Sequence, residues 1–482
     1  MPLLLPDFTP ALPEIFLACA AMALLMLGVF QGEKSAKEVS WLSVAALVIA
    51  GALVASRGME RRTGLEDMFI VDGFSMFMKL FVIAGASIAL IAAIRFNARE
   101  KTERFEFPIL ILLATTGMMM MISANDLISL YLGLELQSLS LYILTSYNRD
   151  DVRSTEAGLK YFVLGAVSSG MLLYGSSMVY GFAGTTSFTS LAEIFGSTDS
   201  GSIGIIIGIV FISAGLAFKV SAVPFHMWTP DVYEGAPSQV TSFLSVAPKI
   251  AAMALFTRIL YDPFGHLVGE WRQIIATISL LSMAVGALGA ISQRNFKRLM
   301  AYISIGHMGY ALAAFAAGTE DGVRGVLIYM AMYVFMVGGT FAIILCMRRD
   351  GKAVERIDDL AGLARTQPAL AVALAIFMFS MAGIPPLAGF WSKFYVFYAA
   401  INANLYTLAI LGMVISVVGA FYYIRIVKIM FFDEPAGAFD TPLGAELAGV
   451  IFVTALATVL FGIFPSPIIS GAEAAAASFF AG

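Results

Sequence analysis

The sequence predicts an all-α polytopic membrane protein of about fourteen transmembrane helices. Three observations carry that reading. Of the 482 residues, 59% are hydrophobic and 13% charged, about half the charge of an ordinary soluble domain. The mean hydropathy is +0.86. The apolar residues also fall in runs of roughly 20, too long for core strands and too uniform for the alternating segments of a barrel. Lipid cannot satisfy an open backbone, so such runs cross as helices.

The runs fall at 11–30, 39–56, 73–95, 107–123, 125–146, 155–181, 202–228, 237–261, 270–291, 297–317, 322–347, 368–400, 402–430 and 442–466. The first follows Met1-Pro-Leu-Leu-Leu-Pro6, without a positively charged leader or a small-residue cleavage site, and is read as a retained helix. Runs four and five nearly touch at Ser123-Ala-Asn-Asp126. Between runs six and seven, Phe188–Phe195 reads either as a short interfacial helix or as a flexible loop with two aromatics.

Charge supplies orientation. Of 29 Lys and Arg, 18 fall in connections opposite the N-terminal side, among them Arg153, Lys297, Arg298, Arg348 and Arg365. Only 6 fall on the N-terminal side: Arg57, Arg61, Arg62, Arg258, Arg272 and Arg324. The excess of positive charge marks the cytoplasm, which leaves both termini on the outer side of the membrane. A net charge of -4 offers no basic face for nucleic acid. Cys19 and Cys346 lie far apart in apolar runs, so neither a disulfide framework nor a metal cluster is implied.

Five lysines remain inside the runs: Lys79, Lys160, Lys219, Lys249 and Lys393. Glu135 joins them near mid-membrane. A charge in hydrocarbon costs at least about 2.5–3.5 kcal/mol, so these side chains must be paired internally or reached by water. Lys79 and Lys160 can be relieved by snorkelling or by structural pairing. Lys249, about twelve residues into its run, cannot easily reach the headgroups. Burial disfavours a lysine's charged form, so a buried lysine can exchange a proton, which arginine cannot.

Two runs carry helix breakers beside a lysine. In Phe218-Lys219-Val-Ser-Ala-Val-Pro224 the proline removes a backbone donor, and Lys219 lies in the last turns before the expected break. In Ala382-Gly-Ile-Pro-Pro-Leu-Ala-Gly-Phe-Trp-Ser-Lys393 the lysine follows it. Broken helices at membrane depth line cavities. Runs four to eight and nine to thirteen each hold five crossings with the fourth one broken, so the second set is an inverted copy of the first. The units are then 1–106 (three N-terminal helices), 107–261 (first five-helix repeat), 270–430 (second repeat) and 442–466 (a C-terminal helix). His307 falls where Glu135 does in the first copy, as a relay or as a neutral histidine bonded between helices.

The broken segments, extended to Pro237, together with Tyr131-Leu-Gly-Leu-Glu135-Leu-Gln-Ser138 and Gln293-Arg-Asn-Phe-Lys-Arg-Leu-Met-Ala-Tyr302, resemble a known family. It is that of the antiporter-like membrane subunits of bacterial proton-pumping NADH–quinone oxidoreductase (complex I), with mitochondrial NADH dehydrogenase subunit 2 as a counterpart. The resemblance covers nearly the whole chain. It implies fourteen helices, broken seventh and twelfth helices, and proton translocation through Glu135, Lys219, Lys249 and Lys393, with Glu135 modulating Lys219. It implies no cofactor in this chain: NADH, FMN, iron–sulfur clusters and quinone (ubiquinone) would be used by other subunits of the complex. The partners implied are other membrane-arm subunits, lipid, water and protons. Where many relatives carry Thr-Pro after Gly-Ala-Pro, this sequence has Ser238-Gln239, which implies a local change at the start of the next helix. A cation/proton antiporter subunit and a non-transporting structural subunit stand as alternatives.

Overall fold

In the computed structural model, residues 7–197, 202–441 and 443–481 are described. The first residues, Met1 to Pro6, lie outside them. The described chain is helical throughout, apart from two minimal antiparallel hairpins, β1 (Arg62–Gly64) with β2 (Phe69–Val71) and β3 (Arg348–Arg349) with β4 (Lys352–Ala353).

Each apolar run coincides with a helix or a pair of half-helices. The first six are α1 (Leu12–Gln31), α2 (Ala36–Ala55), α3 (Gly73–Glu100), α4 (Glu106–Ile122), α5 (Leu127–Thr145) and α6 (Val152–Ala183). The candidate interfacial segment is indeed a helix, α7 (Phe188–Ser197), which buries Phe188, Leu191 and Phe195 on one face. Run seven holds α8 (Ile203–Val220) and the break after it. The second half-helix, α9 (Trp228–Gly235), begins where that run ends, and run eight is α10 (Ser238–Tyr261). The second half follows as α11 (Val268–Ile291), α12 (Phe296–Phe315) and α13 (Glu320–Cys346). After the single turn α14 (Leu363–Thr366), run twelve divides into α15 (Pro368–Ala382) and α16 (Ala388–Asn402). The chain closes with α17 (Tyr406–Phe432), α18 (Ala445–Ile463) and α19 (Ser466–Phe480).

Among the described residues, 10 helical stretches are long and apolar enough to span a membrane, with α1 and α2 falling in one of them. The shorter apolar helices α4 and α15 add two. The remaining run, α12, is diluted by Lys297, Arg298 and His307.

Polar side chains set the helix starts. Asp72 caps α3 by accepting from Ser75 N, Asp126 caps α5 by accepting from Ile128 N, and Asn295 caps α12 by accepting from Arg298 N. The Asp126 cap separates runs four and five. Inside the bundle, α10 is buried on every side and α13 nearly so, whereas α17 and α18 turn large apolar residues such as Val417, Phe421 and Phe452 outward, as lipid-facing helices do.

Two helix crossings are especially close. A Cβ on Gly117 of α4 would lie 2.6 Å from Gln137 N of α5, and one on Gly286 of α11 would lie 2.5 Å from Gly306 N of α12. Backbones this close admit only glycine. Gly286→Val should therefore force α11 and α12 apart at a cost of about 1–3 kcal/mol. The detergent-extracted protein should then unfold at a lower temperature, which a thermal melt would measure.

Arg258 was expected at a loop end facing water, and the structure corrects this. It lies in the last turn of α10 with no exposed surface, held by both carboxylate oxygens of Asp72 at 2.7 and 2.9 Å and by Asp262 at 3.2 Å. Its guanidinium sits 4.9 Å from the ring centres of both Phe74 and Phe479. Phe479 belongs to α19, beyond the last run read in the sequence. There the hydroxyl of Ser478 accepts from Gly73 N at 2.9 Å, so α19 covers the start of α3.

Candidate proton-transfer site

Lys219 occupies the last turn of α8, and Glu135 and Ser138 share one face of α5 at i, i+3 spacing. The Lys219 ammonium donates to Ser138 Oγ at 2.9 Å. Among the described residues Glu135 forms no ion pair, although it lies within electrostatic reach of Lys219. The expected pairing of Glu135 with Lys219 is thus indirect: a hydroxyl one turn along α5 takes the ammonium. Oε1 of Glu135, Oε1 of Gln137 and the Tyr142 hydroxyl are buried without a protein hydrogen-bond partner.

The first break follows from Ser221, whose backbone is left-handed (φ 64°, ψ 35°), and from Pro224. A helix that ends inside a bundle leaves carbonyls to be satisfied. Side chains from other helices perform that task. Trp228 Nε1 donates to Phe218 O at 3.0 Å, and Lys249, reaching across from α10, donates to Val220 O at 3.1 Å. Lys249 also bonds closely to Ser221 Oγ and lies 5.1 Å from the Trp228 ring centre. Lys249 is 1% exposed, as expected of a side chain too deep to snorkel.

The second break repeats the device. Gly383 ends α15 with φ 89°, a conformation that favours glycine. Lys393 of α16 donates to Ala382 O at 2.9 Å and to Ser416 Oγ of α17 at 2.8 Å, with the Tyr310 ring centre 4.9 Å away. Each interrupted helix thus presents its carbonyl end, the negative end of its dipole, to a lysine.

Between the two lysines lies His307. Its Nδ1 is 2.5 Å from the Tyr329 hydroxyl and its Nε2 3.1 Å from that of Tyr423. Beside it, Ser304 Oγ and the Tyr333 hydroxyl are 3.0 Å apart, and that hydroxyl donates to Ser245 O of α10 at 3.0 Å. Neither a charge nor a helix breaker marks these tyrosines in the sequence. Tyr329 and Tyr333, four apart on α13, were legible as a polar stripe, because a tyrosine buried in a membrane helix must bond its hydroxyl to something.

The other two lysines have partners. Lys79 pairs with Glu14 of α1 at 2.6 Å, both almost fully buried, and Lys160 pairs with Glu156 at 2.8 Å and Asp231 at 2.9 Å at a half-exposed position. At the start of α12, Lys297 pairs with Glu355 at 2.8 Å. Burial pushes the Glu355 carboxyl up, but the Lys297 ammonium and the Asn295 amide outweigh it and hold the carboxyl below its ordinary range. Among the described residues no group of three or more His, Cys, Asp or Glu is placed to hold a metal ion.

Comparison with known proteins agrees with this architecture. Residues 124–419 match the family described as "NADH:quinone oxidoreductase/Mrp antiporter, TM". The chain is 57% identical over 478 residues to NADH-quinone oxidoreductase subunit N of Paramagnetospirillum magneticum, covering 98% of each. A chain of respiratory complex I from Thermus thermophilus superposes with a TM-score of 0.82 at 29% identity, covering 95% of this chain and 98% of that one. A chain of the Mrp complex from a Dietzia species shares the fold, with a TM-score of 0.85 at 21% identity and 98% coverage of both. At 57% identity over 98% of both chains, and with residues 124–419 matching the family, the chain belongs to the subunit N family of NADH-quinone oxidoreductases.

Proposed function

We propose that the chain is a membrane-arm subunit of a proton-translocating NADH–quinone oxidoreductase in a bacterial inner membrane. In it Glu135, Lys219, Lys249, His307 and Lys393 carry protons while other subunits perform the redox chemistry. The helices cross fourteen times. They form three N-terminal helices (1–106), two inverted five-helix repeats (107–261 and 270–430) and a C-terminal crossing (442–466), with both termini periplasmic. Its partners are the neighbouring membrane-arm subunits.

The observation that carries the reading is the polar file through the bundle. It runs from Glu135 and Ser138 to Lys219, then across the first break to Lys249, and past Tyr333 and His307 to Lys393 at the second break. Buried oxygens without protein partners at Glu135, Gln137 and Tyr142 call for water, which a proton path needs. The crossing count has its own support. Thr102, Asn148, Arg153, Lys297 and Glu355, from connections assigned to the cytoplasm, line one cavity. Arg61, Asn125, Phe188 and His266, from connections assigned to the other side, line another.

A charge change near Glu135 switches Lys219. At an effective dielectric near 20, moving a unit charge from about 5 Å to about 10 Å changes the interaction by roughly 2 kcal/mol. That alters proton occupancy more than tenfold. Ser138, bonded to the ammonium, holds Lys219 in place while the field changes.

The test is proton pumping per NADH oxidised in membranes carrying Lys219→Ala. Pumping should fall while the complex stays assembled, and Ser138→Ala should lower it less. Full pumping by an intact Lys219→Ala complex would remove Lys219 from the path.

A further inference from the structure

The outer surface of the chain carries a recess that the proton file leaves unused. α15 and α18 pack side by side, and between them runs an apolar groove of about 640 Å³. Pro368, Val372 and Ile376 of α15 form one wall, and Ala448, Phe452 and Val459 of α18 form the other. Spacings of four and seven residues keep each set on one helical face. Val372 and Phe452 are 50% and 66% exposed, so the groove opens outward.

The length of the groove says what fits it. Its wall on α18, from Ala448 to Val459, measures about 17 Å at 1.5 Å per residue. That is about half of a hydrocarbon layer of roughly 30 Å, so the groove serves one leaflet. A transmembrane helix of a neighbouring subunit needs the full height, whereas an acyl chain needs only its own leaflet.

A second, independent observation is the charge at the mouth. The groove begins at Pro368 and Leu443, on the face assigned to the cytoplasm. Both helices start there and no side chain caps either, so each presents unpaired N–H groups. Arg365, three residues before Pro368, is 57% exposed and reaches Glu434 only at 3.9 Å. Arg95 of α3 packs against Gly444 at the start of α18, where a Cβ would lie 2.7 Å from its Nε. Glu434 is 93% exposed and stands in water, which leaves the two arginines and Glu446, on the first turn of α18, at the mouth.

We infer that this groove binds an anionic phospholipid of the cytoplasmic leaflet. One acyl chain lies between α15 and α18, and the phosphate sits on Arg365, Arg95 and the two helix starts. Arginine holds a phosphate through paired N–H donors, and a helix N-terminus favours negative charge. A zwitterionic headgroup carries its own cation and gains less there. The bound chain braces α15, the half-helix whose carbonyl end Lys393 holds.

The test uses the whole complex, purified and returned to phosphatidylcholine vesicles. A small fraction of the lipid carries a photoactivatable group on one acyl chain, as either phosphatidylglycerol or phosphatidylcholine. After illumination, mass spectrometry locates the label in peptides of α15 and α18. The phosphatidylglycerol probe should label both helices more strongly, by roughly fivefold for each arginine. Arg365→Ala and Arg95→Ala should each remove about that factor, and together they should abolish the preference. Ala448→Trp, at an exposed position in the groove wall, should abolish labelling by both probes. The wild-type comparison needs no variant: equal labelling by the two probes would mean boundary lipid alone and overturn the site. A preference that survives in the double arginine variant would overturn it too. So would unlabelled helices together with a cross-link from Val372→Cys to another subunit, which would place protein in the groove. The readout is binding rather than pumping, so each of these failures leaves the proton path as it stands.

Discussion

Replacing Lys249 by arginine is expected to leave the complex assembled while proton pumping per NADH oxidised falls to the level of Lys249→Ala. The reason lies in the two tasks of this side chain. Its ammonium donates to Val220 O at 3.1 Å and so satisfies the end of α8. It is also the deepest of the titratable lysines, in a helix buried on every side. A guanidinium can do the first task, since it presents five donors. It cannot do the second, because fewer than about one arginine in a hundred thousand is neutral at pH 7. Lys249→Met should lose both. The unpaired Val220 carbonyl would then cost about 1–3 kcal/mol, and less assembled complex should be recovered. A blue native gel together with pumping per NADH reads the two effects apart. An arginine variant that pumps normally would make Lys249 a structural cap alone.

The second large effect is expected at the opposite end of α10. Arg258→Ala would leave Asp72 ionised and buried, with no exposed surface and without its two charge-assisted hydrogen bonds. Breaking such a pair by removing one partner costs about 3–5 kcal/mol. Little assembled complex should survive, and what survives should inactivate at a lower temperature. Arg258→Met combined with Asp72→Asn removes both charges of the fully buried pair and leaves Asp262, whose side chain is 14% exposed. The asparagine of that double variant can still cap α3, so most of the loss should be recovered. The proton file does not run through this pair, so pumping per NADH in the recovered double variant should match the wild type. If the single variant assembled normally, the pair would be dispensable for holding α3, α10 and α19 together.

Much of this architecture was legible from residue order. Apolar runs placed the helices, because each run must bury its backbone polar groups in its own hydrogen bonds. The breaks at Ser221–Pro224 and Gly383–Pro386 followed from proline's missing donor and glycine's left-handed freedom. Lys249 stood out because its stem is too short to leave the membrane from where it sits. Arg258 was misplaced for a related reason. Its distance from the end of its run fits snorkelling, and nothing local reveals that Asp72, 186 residues earlier, waits beside it.

The sequence by itself determined which residues are costly in a membrane and where helices cannot continue, since burial cost and helix breaking are local properties. Tertiary structure alone decided who satisfies whom. Ser138 rather than Glu135 takes the Lys219 ammonium, Lys249 closes α8, and Tyr329 and Tyr423 hold His307. Hydrogen bonds depend on separations of about 3 Å between atoms far apart in the chain, and only packing sets those separations.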